Sequence, residues 1–328
     1  MSKVKNSTYI IRKYRIEDLD KLVQFRSEVE RLGQIFSCTS LQDFVENLGL
    51  PNHIPEDNMF IAERAEKIIG YVDVMPELNI GRAVLSYLVH PKYDRMDLFH
   101  NLIECALHRS KELELDIAHV NFPYENGRAK RLFSKMSFHF VRQFLELKLD
   151  LSRAHLPNIS KITFPLRRLR RGEEEKLTQL QNRSFANTWG YSPNTTHDLV
   201  YRSSLPHCSL EDIILAFEMD KPIGYCWTKI NLEEGKAIRK CEGRIYMLGV
   251  DPDHRGKGIG KQVLLAGLSH LKSKGIRTVE LTVDSVNKTA CSLYKSVGFE
   301  AHTSSLWYEK AIDYNPFFRD IRSKVDLR

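Results

Sequence analysis

Val250-Asp251-Pro252-Asp253-His254-Arg255-Gly256-Lys257-Gly258-Ile259-Gly260-Lys261 carries three glycines in five residues, between an apolar run and a helical pattern. Upstream, Arg244–Val250 reads as a mostly apolar strand. Downstream, Val263, Leu264, Leu268 and Leu271 share one helical face over Lys261–Lys274, and Gly275 is a natural stop. The turn therefore links a strand end to a helix start. Glycine lets backbone amides approach a ligand with no Cβ in the way. The first amides of a helix lack intrahelical acceptors and sit at the positive end of its dipole. Together they make an anion site of pyrophosphate size, to which Lys257 and Lys261 add charge. The segment has neither the Gly-Lys-Ser/Thr ending of a Walker loop nor the G-x-G-x-x-G of a dinucleotide turn. Taken alone, it is also readable as a ligand-free connector.

A second element follows the next strand, Thr278–Val283. It is Asn287-x-x-Ala290-x-x-x-Tyr294-x-x-x-Gly298-Phe299, whose first three named residues share a face of a helix predicted over Asn287–Val297. With both elements in place, the sequence resembles the GNAT superfamily of acyl-CoA-dependent N-acyltransferases over roughly Ile162–Ile312. The resemblance implies that Arg255, Gly256, Lys257, Gly258, Ile259, Gly260 and Lys261 hold the pyrophosphate of acetyl-CoA, taken as the donor. It implies that a backbone N–H among Leu248, Gly249 and Val250 meets the acyl oxygen. It also implies that Tyr294 is the acid for the departing thiolate and that Asn287 supports the pantetheine arm or the local backbone. A phenol is protonated at neutral pH, as that role requires. A tyrosine on an amphipathic helix is otherwise readable as core.

Working outward, the chain repeats itself. Val89–Phe138 lies on Val250–Phe299 without a gap, and Asn126, Ala129 and Phe138 fall on Asn287, Ala290 and Phe299. Lys67-Ile68-Ile69-Gly70-Tyr71 echoes Lys221-Pro222-Ile223-Gly224-Tyr225. The spacing is 19 positions from Gly70 to Val89 but 26 from Gly224 to Val250, so the second copy carries a longer loop around 231–243. The second copy reads as βαβββαβαβ: strands at Ile162–Leu169, Ile213–Glu218, Pro222–Ile230, Arg244–Val250, Thr278–Val283 and Leu306–Ile312, with an extra helix at Thr195–Ser203. The expected fold is α/β (α+β), two tandem GNAT-like domains at 1–152 and 161–328, each a mixed central sheet flanked by helices. Length, two-copy layout and the strands around Gly224 and Gly243 also resemble the tandem-GNAT mycothiol synthases.

The first copy keeps the pattern and loses the chemistry. Asp94, Arg95, Met96, Asp97 and Phe99 stand where Arg255, Gly256, Lys257, Gly258 and Gly260 do, with two carboxylates in the phosphate position and little positive charge nearby. Phe133 replaces Tyr294, and Ser137 replaces Gly298. The first domain is expected to be structural or to wall the acceptor cleft, the other reading being that it binds acyl-CoA in an altered manner.

The acceptor side is less sharply written. Mycothiol synthases and other GNAT enzymes place a glutamate where this chain has Arg244, a permanent cation. Glu242 and Tyr246 share the strand face of Arg244, and Glu242 is the substitute base, with a water relay or no dedicated base as the other readings. Trp189 and Tyr191, after the first helix of the second copy, are candidate acceptor contacts together with Arg244 and Tyr246, or else pack against their own loop.

Composition bounds the rest. The net charge of +7 favours anionic partners only weakly. No aromatic-basic stacking pattern points to nucleic acid. Six thinly spread cysteines, without a C-x-x-C, fit neither a disulfide framework nor a zinc site, and no metal is expected. Met1–Thr8 has no apolar signal core and the apolar runs are far short of a membrane span, so a cytoplasmic protein is expected. Three functions remain open: N-acetylation of a small-molecule or peptide amine, a mycothiol-synthase-like reaction on a cysteinyl pseudo-disaccharide, and a non-catalytic acyl-CoA-binding module.

Overall fold

The structure, a computed structural model, describes residues 9–32, 39–93, 95–154, 164–205, 208–232 and 241–312. Asp94 and most of the longer loop expected around 231–243 lie outside these residues. In chain order the elements are β1 (Ile10–Lys13), α1 (Leu19–Arg31), α2 (Leu41–Leu48), α3 (Pro55–Asn58), β2 (Met59–Arg64), β3 (Lys67–Glu77), β4 (Arg82–Val89), α4 (Met96–Glu112), β5 (Ile117–Pro123), α5 (Gly127–Lys135) and β6 (His139–Asp150). There follow β7 (Leu166–Arg168), α6 (Glu174–Phe185), α7 (Thr196–Ser204), β8 (Ile213–Glu218), β9 (Lys221–Leu232), β10 (Cys241–Val250), α8 (Ile259–Ser273), β11 (Thr278–Asp284), α9 (Lys288–Val297) and β12 (Glu300–Ala311). The second half keeps the βαβββαβαβ order, with α7 as the extra helix.

The chain divides into two units, Met1–Arg142 with Ser305–Arg328, and Gln143–Ser304. The first has the strand order β1-β2-β3-β4-β5-β12, the second β6-β11-β10-β9-β8-β7. Both sheets are mixed: β4–β5 and β10–β11 run parallel, the other described pairs antiparallel. Helices cover both faces of each. In the second unit α8 and α9 cover one face, and α6 and α7 the other.

This corrects the division at 1–152 and 161–328. The strand expected to close the second domain pairs instead with β5, Leu306 opposite Phe122 and Tyr308 opposite Val120. β6, which falls within 1–152, pairs with β11, Leu147 opposite Leu281 and Glu146 opposite Thr282. Burial follows the pairing. Leu147, Leu149 and Leu151 join the core with Val279, Leu281 and Val283, while Leu306 and Tyr308 join the core with Val120 and Phe122. Alternating apolar residues tell a strand which face to bury, not which partner to pair with.

In the second unit α8 lies close on the sheet. A Cβ on Gly267 would come within 2.5 Å of Cys226 Sγ, and one on Gly224 within 2.5 Å of Ile259 Cγ2. Val263, Leu264, Leu268 and Leu271 are fully buried there, each such side chain contributing about 1.5–3 kcal/mol. This packing fixes where α8 begins.

Candidate active site

α8 starts at Ile259, directly after Gly258 as N-cap. Gly256 and Gly258 have φ of 79° and 81°, the left-handed region that side chains with a Cβ avoid. No atom lies within 4 Å of where a Cβ on either would be, so the turn opens onto empty space. Lys257 and Lys261 are exposed beside it, while the Ile259 side chain is buried and only its backbone faces the turn. A Cβ on Gly260 would meet Val250 Cγ2 at 3.5 Å and Leu293 Cδ2 at 3.6 Å, ordinary contacts that leave the glycine unexplained by packing alone. These features fit a pyrophosphate: free helix-start amides, room for the backbone to approach, and two cations.

Arg255 has a bracing role. Its Nη2 donates to the Ser184 carbonyl at 2.7 Å and its Nε to the Val250 carbonyl at 3.4 Å, tying the turn to α6 and β10. Asp251 is 1 % exposed; it accepts from Arg183 Nε at 2.9 Å and from the Asp253 N–H at 3.1 Å. Arg183 also reaches Asp253 at 2.9 Å, and the His254 ring links Asp251 to Glu218. Chiefly because of Arg183, the Asp251 carboxyl is held far below the usual carboxylate range.

The strands beside the turn diverge. The β10–β11 ladder pairs Glu242, Gly243 and Arg244 with Thr278, Val279 and Glu280, and ends there among the described residues. β10 continues to Val250, paired on its other side with β9 through Val250–Gly224, with a bulge between Ile245 and Met247. Leu248, Gly249 and Val250 thus lie along an edge with no described strand partner, next to the turn. Leu248 and Val250 pack toward the α8 side, while Gly249 faces Ser184 and Tyr225. Tyr294 enters the same core from α9, 7 % exposed, its ring edge-on to Phe299 at 5.8 Å. Burial pushes its phenol well above the ordinary value, so it keeps its proton at neutral pH. Asn287 caps α9, its Oδ1 accepting from the Ala290 N–H at 3.1 Å.

The opposite face of the same sheet gathers the acceptor candidates. Tyr246 and Trp227 meet edge-on at 5.2 Å, and Lys229 Nζ stands 4.2 Å from the Tyr246 ring. Arg244 donates to Thr282 Oγ1 at 3.3 Å. Trp189 lies against Phe144 of β6 with ring centroids 6.1 Å apart. Tyr191 stacks on Phe185 at 5.3 Å and donates to Asn182 Oδ1 at 2.7 Å, so it anchors its loop to α6. Trp227 Nε1 and Ser184 Oγ are buried with no hydrogen-bond partner among the described residues. Glu242 sits at the far end of β10, opposite Thr278. The sequence reading missed Glu146, Thr282, Lys229 and Trp227. Only Trp227 and Lys229 carried a signal, in their nearness to Gly224. The described residues contain no group of three or more His, Cys, Asp or Glu able to hold a metal ion, and no helix long and apolar enough to cross a membrane.

Residues 175–299, the span of the turn, the diverging strands and Tyr294, match the Acetyltransferase (GNAT) family. This chain carries a GNAT acetyltransferase domain. It resembles mycothiol acetyltransferases: that of Thermobispora bispora is 36% identical over 138 residues, covering 42% of this chain and 46% of that relative. That of Rhodococcus opacus is 25% identical over 252 residues, 75% of this chain and 81% of the relative. Among solved structures, a GCN5-related N-acetyltransferase from Sphaerobacter thermophilus superposes with TM-score 0.71 at 18% identity, over 93% of this chain and 96% of that one. A tandem GNAT protein of the clavulanic acid pathway gives 0.67 at 14% identity, covering 94% and 99%. Both structural likenesses concern the fold.

Proposed function

We propose that this GNAT chain transfers an acetyl group from acetyl-CoA to the primary amine of a small-molecule acceptor, with the chemistry in the Gln143–Ser304 unit. One observation carries this reading: the open three-glycine turn stands beside the diverging β10–β11 edge and the buried phenol of Tyr294. The similarity to mycothiol acetyltransferases supports a small-molecule amine as acceptor.

Acetyl-CoA, when bound, supplies the activated acyl thioester. The amides at the start of α8, with Lys257 and Lys261, hold the pyrophosphate. The β10 edge from Leu248 to Val250 offers backbone N–H groups to the pantetheine arm and to the acyl oxygen as charge develops there. Tyr294 gives its proton to the departing sulfur. Arg255 and Asn287 shape the site by bracing the turn and capping α9. Trp189 and Tyr246 offer flat surfaces to the acceptor.

The test is release of free thiol from acetyl-CoA with a panel of amino acids, cysteinyl glycosides and short peptides, beside calorimetric titration with acetyl-CoA. Turnover with a small amine and one acetyl-CoA per chain are expected. Binding without turnover on any amine would leave a non-catalytic binding module.

A further inference from the structure

The sequence reading sought the base for the acceptor ammonium at Glu242, which lies at the end of β10 away from the diverging edge. The register ranks the polar residues of the acceptor face in rows across β10, β11 and β6. Glu242, Thr278 and Asp150 form one row, and Arg244, Glu280 and Lys148 the next. In the row after that, where β10 has left β11, Thr282 stands opposite Glu146. Successive same-face rows are about 7 Å apart, so Glu146 lies about 13 Å closer to the diverging edge than Glu242 does. Val279, Leu281 and Val283 face the opposite core, which leaves Glu280, Thr282 and the Glu146 side of β6 on the acceptor face. The bond from Arg244 to Thr282 Oγ1 confirms the shared face, and Phe144, two residues before Glu146, packs against Trp189.

We propose that Glu146 is the carboxylate that takes the proton of the acceptor ammonium, directly or through one water, and that Arg244 tunes it. The proposal rests on the acetyltransferase reading above. It assigns the base to a strand that precedes the whole GNAT-matching segment in sequence. Glu146 is half-buried. The charged groups facing it are Arg244 from β10, Glu280 from β11, Lys148 from its own strand and His302 from β12. Burial raises its carboxyl, and Glu280 adds to that; Arg244, Lys148 and His302 pull it down, Arg244 most. Lys148 is itself ion-paired with Glu280, which leaves Arg244 as the main control.

The proton balance closes. The ammonium gives one proton to Glu146, which passes it to solvent. The neutral amine forms the C–N bond as the C–S bond breaks. Tyr294 protonates the sulfur and is reprotonated by the second proton of the nitrogen as the amide forms, which leaves one N–H on the product.

The experiment uses the full chain, acetyl-CoA and the best amine of the panel. Glu146→Gln should lower kcat about 10²-fold or more, leave acetyl-CoA affinity within about twofold, and erase the acidic limb of the pH–rate profile. Glu146→Asp should restore part of the rate. Arg244→Met should keep the limb but move it to higher pH, because the cation that lowers the carboxyl is gone. Unchanged rate and limb in Glu146→Gln would overturn the assignment while leaving the acetyltransferase reading intact. Equal loss of acetyl-CoA binding and rate would also overturn it, in favour of a structural role. A wild-type chain that binds acetyl-CoA and turns over no amine overturns the acetyltransferase reading and the base with it.

Discussion

The two units share a scaffold and differ in what fills one gap. In both, the central parallel ladder stops early. β4 pairs with β5 only over Arg82–Leu85 although it runs to Val89, as β10 leaves β11 after Arg244. In the first unit the gap is packed with rings. Phe133 lies 5.2 Å from Tyr87, 5.0 Å from Phe99 and 5.6 Å from Phe122, the last pair stacked. The equivalent positions in the second unit are Tyr294, Leu248, Gly260 and Val283. The helix start differs too. α4 begins at Met96, two positions ahead of the residue matching Ile259, so helix replaces the open turn. Asp97, one of the two carboxylates there, is held by Arg95 at 3.0 Å, more compensation than the sequence suggested. β4 pairs with β3 without the irregularity that bends β10 against β9. The scaffold features, by contrast, are duplicated. Asn126 caps α5 as Asn287 caps α9, and a two-pronged Arg12–Asp18 pair matches Arg167–Glu173. A cap kept where the gap beside it is filled with rings belongs to the fold.

The largest test of that comparison puts the first unit's residue into the second. Gly260→Phe should abolish acetyl-CoA binding, at least ~10³-fold by calorimetry, since a ring occupies the space beside the turn. Gly260→Ala, whose Cβ meets only ordinary contacts, should leave the melting temperature unchanged and isolate the effect on binding. Normal binding by the Phe variant would mean that a ring at this position does not by itself close the site.

Tyr294→Phe copies the first unit's Phe133. It should lower kcat about 10²-fold with little change in acetyl-CoA affinity, because the hydroxyl matters only as sulfur departs. An unchanged kcat with chemistry rate-limiting removes Tyr294 from the mechanism.

The shared scaffold predicts a smaller, pH-dependent effect. Arg167 holds the Glu173 carboxyl down at about 2, and Arg12 likewise lowers Asp18. A depressed folded pKa stabilises above the ordinary carboxylate value and is lost as pH falls toward 2. Arg167→Met and Arg12→Met should therefore each cost about 1 kcal/mol at pH 7, with the difference from wild type shrinking below pH 4. Thermal melts across pH check this, and a cost in only one unit would break the equivalence.

The smallest effect concerns the helix stops. Ser137 has φ 64° where its counterpart Gly298 has φ 104°. Ser137→Gly should stabilise by no more than about 1 kcal/mol, because relief of the left-handed side chain is offset by a freer unfolded chain. Measured destabilisation would show that the serine side chain matters in its own right.

The local structure around the turn was legible in the sequence because it is written in consecutive residues: three glycines, a helix periodicity, an asparagine cap. The boundary between units was not. Leu147 finds Leu281 across more than a hundred residues, and any alternating strand satisfies the same pattern. Glu146 was hidden for the same reason, since Glu146 and Lys148 on alternate positions of β6 read as a solvated face until β11 lies beside them. The bend between Ile245 and Met247 has no residue signature, so the course of β10 past Arg244 was not legible. Arg255 reads as a phosphate ligand from its motif, and its bond to the Ser184 carbonyl depends on where α6 packs.

The exchange of β6 and β12 also orders events in time. The strand that pairs with β11 in the second unit is the first of that unit to be made, whereas the strand that pairs with β5 in the first is made only after α9. At ~5–20 residues per second, β5 waits roughly ten to thirty seconds on the ribosome for its partner. Throughout that wait the nearest strand in the nascent chain is β6, the wrong one. The half synthesised first is thus the last to close.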